Sequence, residues 1–103
     1  MIQLSVYVPL DHAEKVKEAM FEAGAGKIGD YDKCCFETIG QGQYRPLKGS
    51  QPFLGETHKL EIVQEKKIEL VVDRRFFLSV IAALKQAHPY ETPAYYAVEL
   101  LDC

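Results

Sequence analysis

One hundred and three residues, 48% hydrophobic and 26% charged, make one small ordered domain and not a disordered tail. Twelve basic against fifteen acidic side chains leave a net charge of -3, which argues against nucleic acid and against a polybasic membrane-surface role. No apolar run approaches the ~20 residues that cross a bilayer.

The chain opens MIQLSVYVPLDHAEK, without a basic leading segment, and Asp11 and His12 interrupt its apolar run. It reads as a first strand and not a signal peptide, so a cytoplasmic setting is expected. Cys34, Cys35 and Cys103 are an odd set with an adjacent pair, a poor disulfide framework. Reduced thiols follow, with at least one in the core. No paired Cys or Cys/His spacing suggests zinc.

In chain order, Ile2, Leu4, Val6 and Val8 alternate with Gln3, Ser5 and Tyr7, a period-2 strand ended by Pro9. Asp11 followed by Glu14 is a capping-box-like start. Ala13, Val16, Ala19, Met20 and Ala23 then recur at helical spacing, and Gly24 is placed as the left-handed end. All seven glycines fall between Gly24 and Gly55. Cys34–Ile39 reads as a strand continued by Gln43–Arg45, with a bulge or bend at Gly40–Gly42. Pro46–Gly55 reads as loop. Leu60–Val72 is one long strand, or a hairpin turning at Gln64–Lys67. Asp73 caps a second helix with the stripe Phe76, Phe77, Val80, Ile81 and Leu84, and Pro89 forces its end at His88. Ala94–Leu101 is the closing strand.

The order β-α-β-β-α-β predicts an α+β, ferredoxin-like sandwich over residues 1–103: a four-stranded antiparallel sheet with two helices on one face. The other face is expected to carry Tyr7, Val63, Val71, Tyr95, Ala97 and Leu101 among Glu61, Glu65 and Glu69. That is more apolar than an idle surface needs, so a homo-oligomer is expected, with Tyr7, Val63, Val71, Pro89, Tyr90 and Tyr95 as interface candidates. The glutamates with Lys67 among them read as a solvated, partly paired row. His12 and His58 read as isolated.

Two stretches stand out. One runs Gly24-Ala25-Gly26-Lys27-Ile28-Gly29-Asp30-Tyr31, continuing through Phe36, Gly40, Gly42, Pro46, Gly49-Ser50-Gln51-Pro52 and Gly55. The other is His88-Pro89-Tyr90-Glu91-Thr92-Pro93-Ala94. From Ile2 to about Leu100 they resemble the YqfO-type family, the PII-like insert domain of the NGG-interacting-factor proteins, which includes short stand-alone members. The second stretch is also similar to the segment entering the last strand of CutA proteins, trimers of the same fold implicated in divalent-cation tolerance. The resemblance implies a stand-alone PII/CutA-like domain and a trimer. It does not imply the family's dinuclear metal centre, whose ligands lie in flanking domains.

On the residues alone, the glycine run lacks P-loop spacing and reads first as turns and a helix end. Its amides with Gly24, Gly26, Lys27, Gly29 and Tyr31 could instead meet an anionic ligand. His88-Pro89-Tyr90-Glu91 reads first as a junction, and otherwise as a ligand site. With Cys35 from another strand, His88 and Glu91 could hold a divalent or copper-type ion. No catalytic constellation is visible. The expected function is a non-enzymatic regulatory or small-ligand-binding domain, with a metal-binding protein or a purely structural oligomerisation module as alternatives.

Overall fold

The computed structural model describes residues 1–101, so Cys103 lies outside the described residues. Strand β1 (Ile2–Pro9) buries Ile2, Leu4, Val6 and Val8 and leaves Gln3, Ser5 and Tyr7 partly exposed, as the period-2 pattern requires. Helix α1 (Ala13–Glu22) buries Ala13, Val16 and Met20. A 3-10 turn over Leu10–His12 precedes it. Asp11 therefore lies inside a turn and not at the helix entrance, and no side chain caps α1. Its carboxylate meets His12 Nδ1 at 3.1 Å instead. The helix ends as read: Gly24 has φ +118°, and the Ala25 amide donates to the Met20 carbonyl at 3.0 Å.

Strands β2 (Phe36–Tyr44) and β3 (Glu61–Val72) pair without interruption from Phe36 opposite Glu69 to Tyr44 opposite Glu61. Gly40–Gly42 is thus no bulge, and Leu60–Val72 is no hairpin. Cys34 and Cys35 precede β2; one is half-buried and the other exposed, so neither enters the core. Asp73 accepts the Arg75 amide at 2.9 Å and caps the turn Arg74–Phe76 that opens helix α2 (Phe77–Ala87). That helix stops at His88, extended at ψ 138° before Pro89. The last strand, β4 (Tyr95–Glu99), pairs antiparallel with β1.

The sheet order is β2-β3-β1-β4, all antiparallel, with both helices packed on one face. This is the ferredoxin-like sandwich. Its core joins Leu4, Val6 and Val8 to Val16, Met20, Ile68, Val80 and Leu84. Each such side chain stabilises the fold by about 1.5–3 kcal/mol through burial. No helix among the described residues is long and apolar enough to cross a membrane.

One face assignment is corrected. Tyr95 lies opposite Val6 and Ala97 opposite Leu4, so both belong to the helix-covered face, and Tyr95 packs against the core. Tyr96 and Val98 take their place on the open face, opposite Ser5 and Gln3. Tyr7, Val63 and Val71 stand on the open face as read.

Candidate functional site

The junction after α2 is built around His88. Its Nε2 lies 2.7 Å from the Tyr7 carbonyl, and its Nδ1 lies 3.1 Å from the Tyr90 amide. A backbone amide only donates, so Nδ1 accepts and the proton sits on Nε2, which donates to Tyr7. Burial pushes the His88 pKa below its ordinary value, while the bond to the Tyr7 carbonyl acts against that shift. The imidazole is neutral, and both nitrogens are spent holding the 88–91 loop on β1.

This anchoring swings Tyr90 over the open face. Its ring meets Tyr44 edge-on (5.6 Å between centroids) and lies tilted against His88 (5.0 Å) and Phe53 (6.3 Å). A pocket of about 560 Å³ opens there, between the 88–94 loop, the end of the β2–β3 ribbon and the Pro46–Phe53 loop. Tyr7, Tyr44, Phe53, Pro46, Pro52 and Leu47 form walls, Arg45 and Glu91 are exposed lining residues, and Glu65 also lines it. The Tyr44 hydroxyl donates to the Leu54 carbonyl at 2.8 Å, and Glu91 accepts the Gln51 amide at 2.8 Å, so both fasten the long loop.

One polar group inside is poorly served. The Tyr90 hydroxyl is shielded from solvent and makes no well-formed hydrogen bond; Tyr44 and Glu65 are its polar neighbours. Burial, more than the nearby Glu65 charge, drives the Tyr90 pKa upward. Burial likewise lifts Glu65 above the usual carboxylate value, with the Tyr90 hydroxyl acting against the shift. The Glu65 carboxylate lies across Gly42, where a Cβ would collide with it. That explains this strand glycine better than a bulge does.

Of the residues read from sequence, Tyr7, Tyr90 and Glu91 come together here. The glycine run does not. Gly26 donates to Val71, about four residues along the sheet (~13 Å) from the level of Tyr7. The amides of Gly24, Ala25, Gly26 and Ile28 are all used internally. Gly29 and Lys27 are exposed, and Tyr31 closes a local bridge with Ile28. The metal set is not assembled either. Cys35 sits beside Lys17 and Glu37 on the α1 side, with burial lifting its thiol pKa. His88 has no free nitrogen, and the described residues hold no group of three or more His, Cys, Asp or Glu side chains placed for a metal.

Tyr44, Phe53 and Glu65 were missed by the sequence reading. The available signal was a glutamate on the open face beside two glycines of the neighbouring strand, with aromatics at both ends of a proline-bearing loop.

The fold belongs to the CutA-like class. CutA from Archaeoglobus fulgidus, described as a periplasmic divalent cation tolerance protein, matches all of this chain over 87% of its own length, with a TM-score of 0.70 at 19% identity. CutA1 from Pyrococcus horikoshii matches all of it with a TM-score of 0.71 at 20% identity. Within that class, sequence places the chain with the NIF3-related, YqfO-type proteins, as its two motifs suggested. It is 44% identical over 95 residues to the GTP cyclohydrolase 1 type 2 homolog of Halalkalibacterium halodurans, covering 92% of this chain and 26% of the relative. The Bacillus subtilis protein of the same description is 44% identical over 99 residues. A Bacillus cereus protein related to NIF3 superimposes with a TM-score of 0.84 at 38% identity, over 98% of this chain and 26% of its own. The chain therefore spans about a quarter of these relatives. No protein-family profile matches it.

Proposed function

We propose that the chain is a non-enzymatic, oligomeric small-ligand-binding module, a trimer in its working form, with its ligand site in the pocket beside Tyr90 and Glu91. The observation that carries this reading is an aromatic-walled pocket that holds a solvent-shielded Tyr90 hydroxyl without a well-formed hydrogen bond, next to a half-buried Glu65 carboxylate. Pockets of a few hundred Å³ with few convergent polar groups are the usual form of small-molecule sites. The oligomer rests on the open sheet face, where Phe36, Tyr96 and Val98 are each more than 60% exposed. The relatives' shared description is a homology label on proteins about four times as long, and no reaction is carried over from it.

Light scattering tests the assembly and thermal melting tests the ligand. We expect a mass near three times 11.7 kDa at micromolar concentration. Among nucleotides, amines, carboxylates and divalent or copper ions, at least one class should raise the melting temperature, since a ligand that binds only the folded form stabilises it. A single-chain mass would sink the trimer, and no shift from any class would sink the ligand-binding module.

A further inference from the structure

Glu65 is a half-buried carboxylate whose polar neighbour is the Tyr90 hydroxyl and which has no cationic partner among the described residues. Lys67, two residues on along the same strand face, pairs with Glu69 at 3.7 Å. Lys66 turns to the helix side and pairs with Glu37 at 2.9 Å. Among the described residues no Lys, Arg or His side chain comes within ion-pair distance of Glu65. Yet the carboxylate is half-buried, laid across Gly42 and next to a solvent-shielded phenol. A desolvated acceptor with an aromatic surround is complementary to a cation that also carries N–H donors.

We propose that the pocket receives a small organic monocation with an apolar or aromatic body, its ammonium group meeting Glu65 and the Tyr90 hydroxyl between the Tyr7, Tyr44 and Tyr90 rings. This rests on the pocket being a ligand site, as read above, and adds the ligand's chemistry. The body follows from the walls: Phe53, Leu47, Pro46 and Pro52 offer apolar surface and no hydrogen-bond partner. Of the charged lining residues, Glu65, Glu91 and Arg45, the formal charges leave one negative charge in excess, which favours one positive centre over a polyamine. Glu91 is exposed and holds the Gln51 amide through one oxygen, so Glu65 is the more desolvated of the two carboxylates. Arg45 also lines the pocket and would favour an anion instead, so the test has an anionic arm.

The probes are phenethylamine, its neutral analogue 2-phenylethanol and the anionic 3-phenylpropionate, titrated calorimetrically into the intact protein at fixed ionic strength. Phenethylamine should bind saturably in or below the millimolar range, with the alcohol at least tenfold weaker and the acid weaker still. Glu65→Gln should weaken the amine at least tenfold and leave the alcohol unchanged. It should melt no lower than wild type, because it removes a desolvated charge. Gly42→Ala keeps the charge but displaces the carboxylate, and should also weaken the amine. Equal or tighter binding of the acid, equal amine binding by both variants, or no saturable amine binding overturns the proposal. If nucleotides or carboxylates stabilise the protein while amines do not, the module reading survives and this inference falls. If nothing binds, both fall.

Discussion

His88 shows how little of a side chain's duty its position reveals. The sequence placed it at a helix end before proline, where it read first as a junction and otherwise as a ligand. Its ring bonds to Tyr7, 81 positions away, and to Tyr90, two positions away, decide for the junction. Only the strand order brings Tyr7 there, so no local pattern could have announced the contact. The bond has a pH signature. In the fold burial depresses the His88 pKa, the bond to the Tyr7 carbonyl opposes that, and His12 adds a smaller push downward. The unfolded chain, at about 6.5, takes up the proton first as pH falls. The contribution is whole above that value and is lost on acidification through the folded pKa. Melting temperature should therefore drop between about pH 7.5 and pH 5. In His88→Gln the drop should be smaller, from a lower starting value. Equal slopes in the two proteins would refute the buried neutral imidazole.

Element boundaries were legible where one physical cue dominated. Apolar alternation gave β1, proline gave the end of α2, and Gly24 gave the end of α1. The misreadings came where two cues were balanced. In β4, Tyr95 and Ala97 are as apolar as Tyr96 and Val98, so pattern alone could not choose a face; the register with β1 chose it. At Gly40–Gly42 the glycines suggested a bend, but the space they leave is used by Glu65. The same accounting separates the two ends of β3. Glu65–Glu69 pairs with both β1 and β2, whereas Glu61–Gln64 pairs with β2 alone. Two-stranded ribbons are marginal by themselves. In native-state hydrogen exchange, amides of Glu61–Gln64 and Gln41–Tyr44 should be protected an order of magnitude less than those of Leu4–Val8 and Ile68–Leu70. Uniform protection along β3 would show that the ribbon is held by something further, such as a second copy.

At the scale of the molecule, the radius of gyration is 14.5 Å and the extents are 46 × 24 × 24 Å. A compact chain of this length has a radius near 13 Å. The excess follows from the β2–β3 ribbon running past the sheet, and it leaves apolar side chains of the open face without cover inside one chain. The sequence suggested this imbalance through its strand parities, but with Tyr95 and Ala97 on the wrong face. The corrected face makes a sharper test. Val98 is 61% exposed, on the open face of β4 and outside the core. As a surface position, Val98→Asp should alter single-chain stability by no more than about 0.5 kcal/mol. Set into an apolar seam between copies, the same carboxylate would be desolvated without a partner and should drive the measured mass from near three chains to one. Leu84→Ala is the contrast: it hollows the one-sided core, should cost about 2–5 kcal/mol, and should lower folding and assembly together. Loss of mass in Val98→Asp with a preserved circular dichroism spectrum would locate the seam on the open face. An unchanged mass would move the seam elsewhere, and the apolar strip of Phe36, Tyr96 and Val98 would then need another partner.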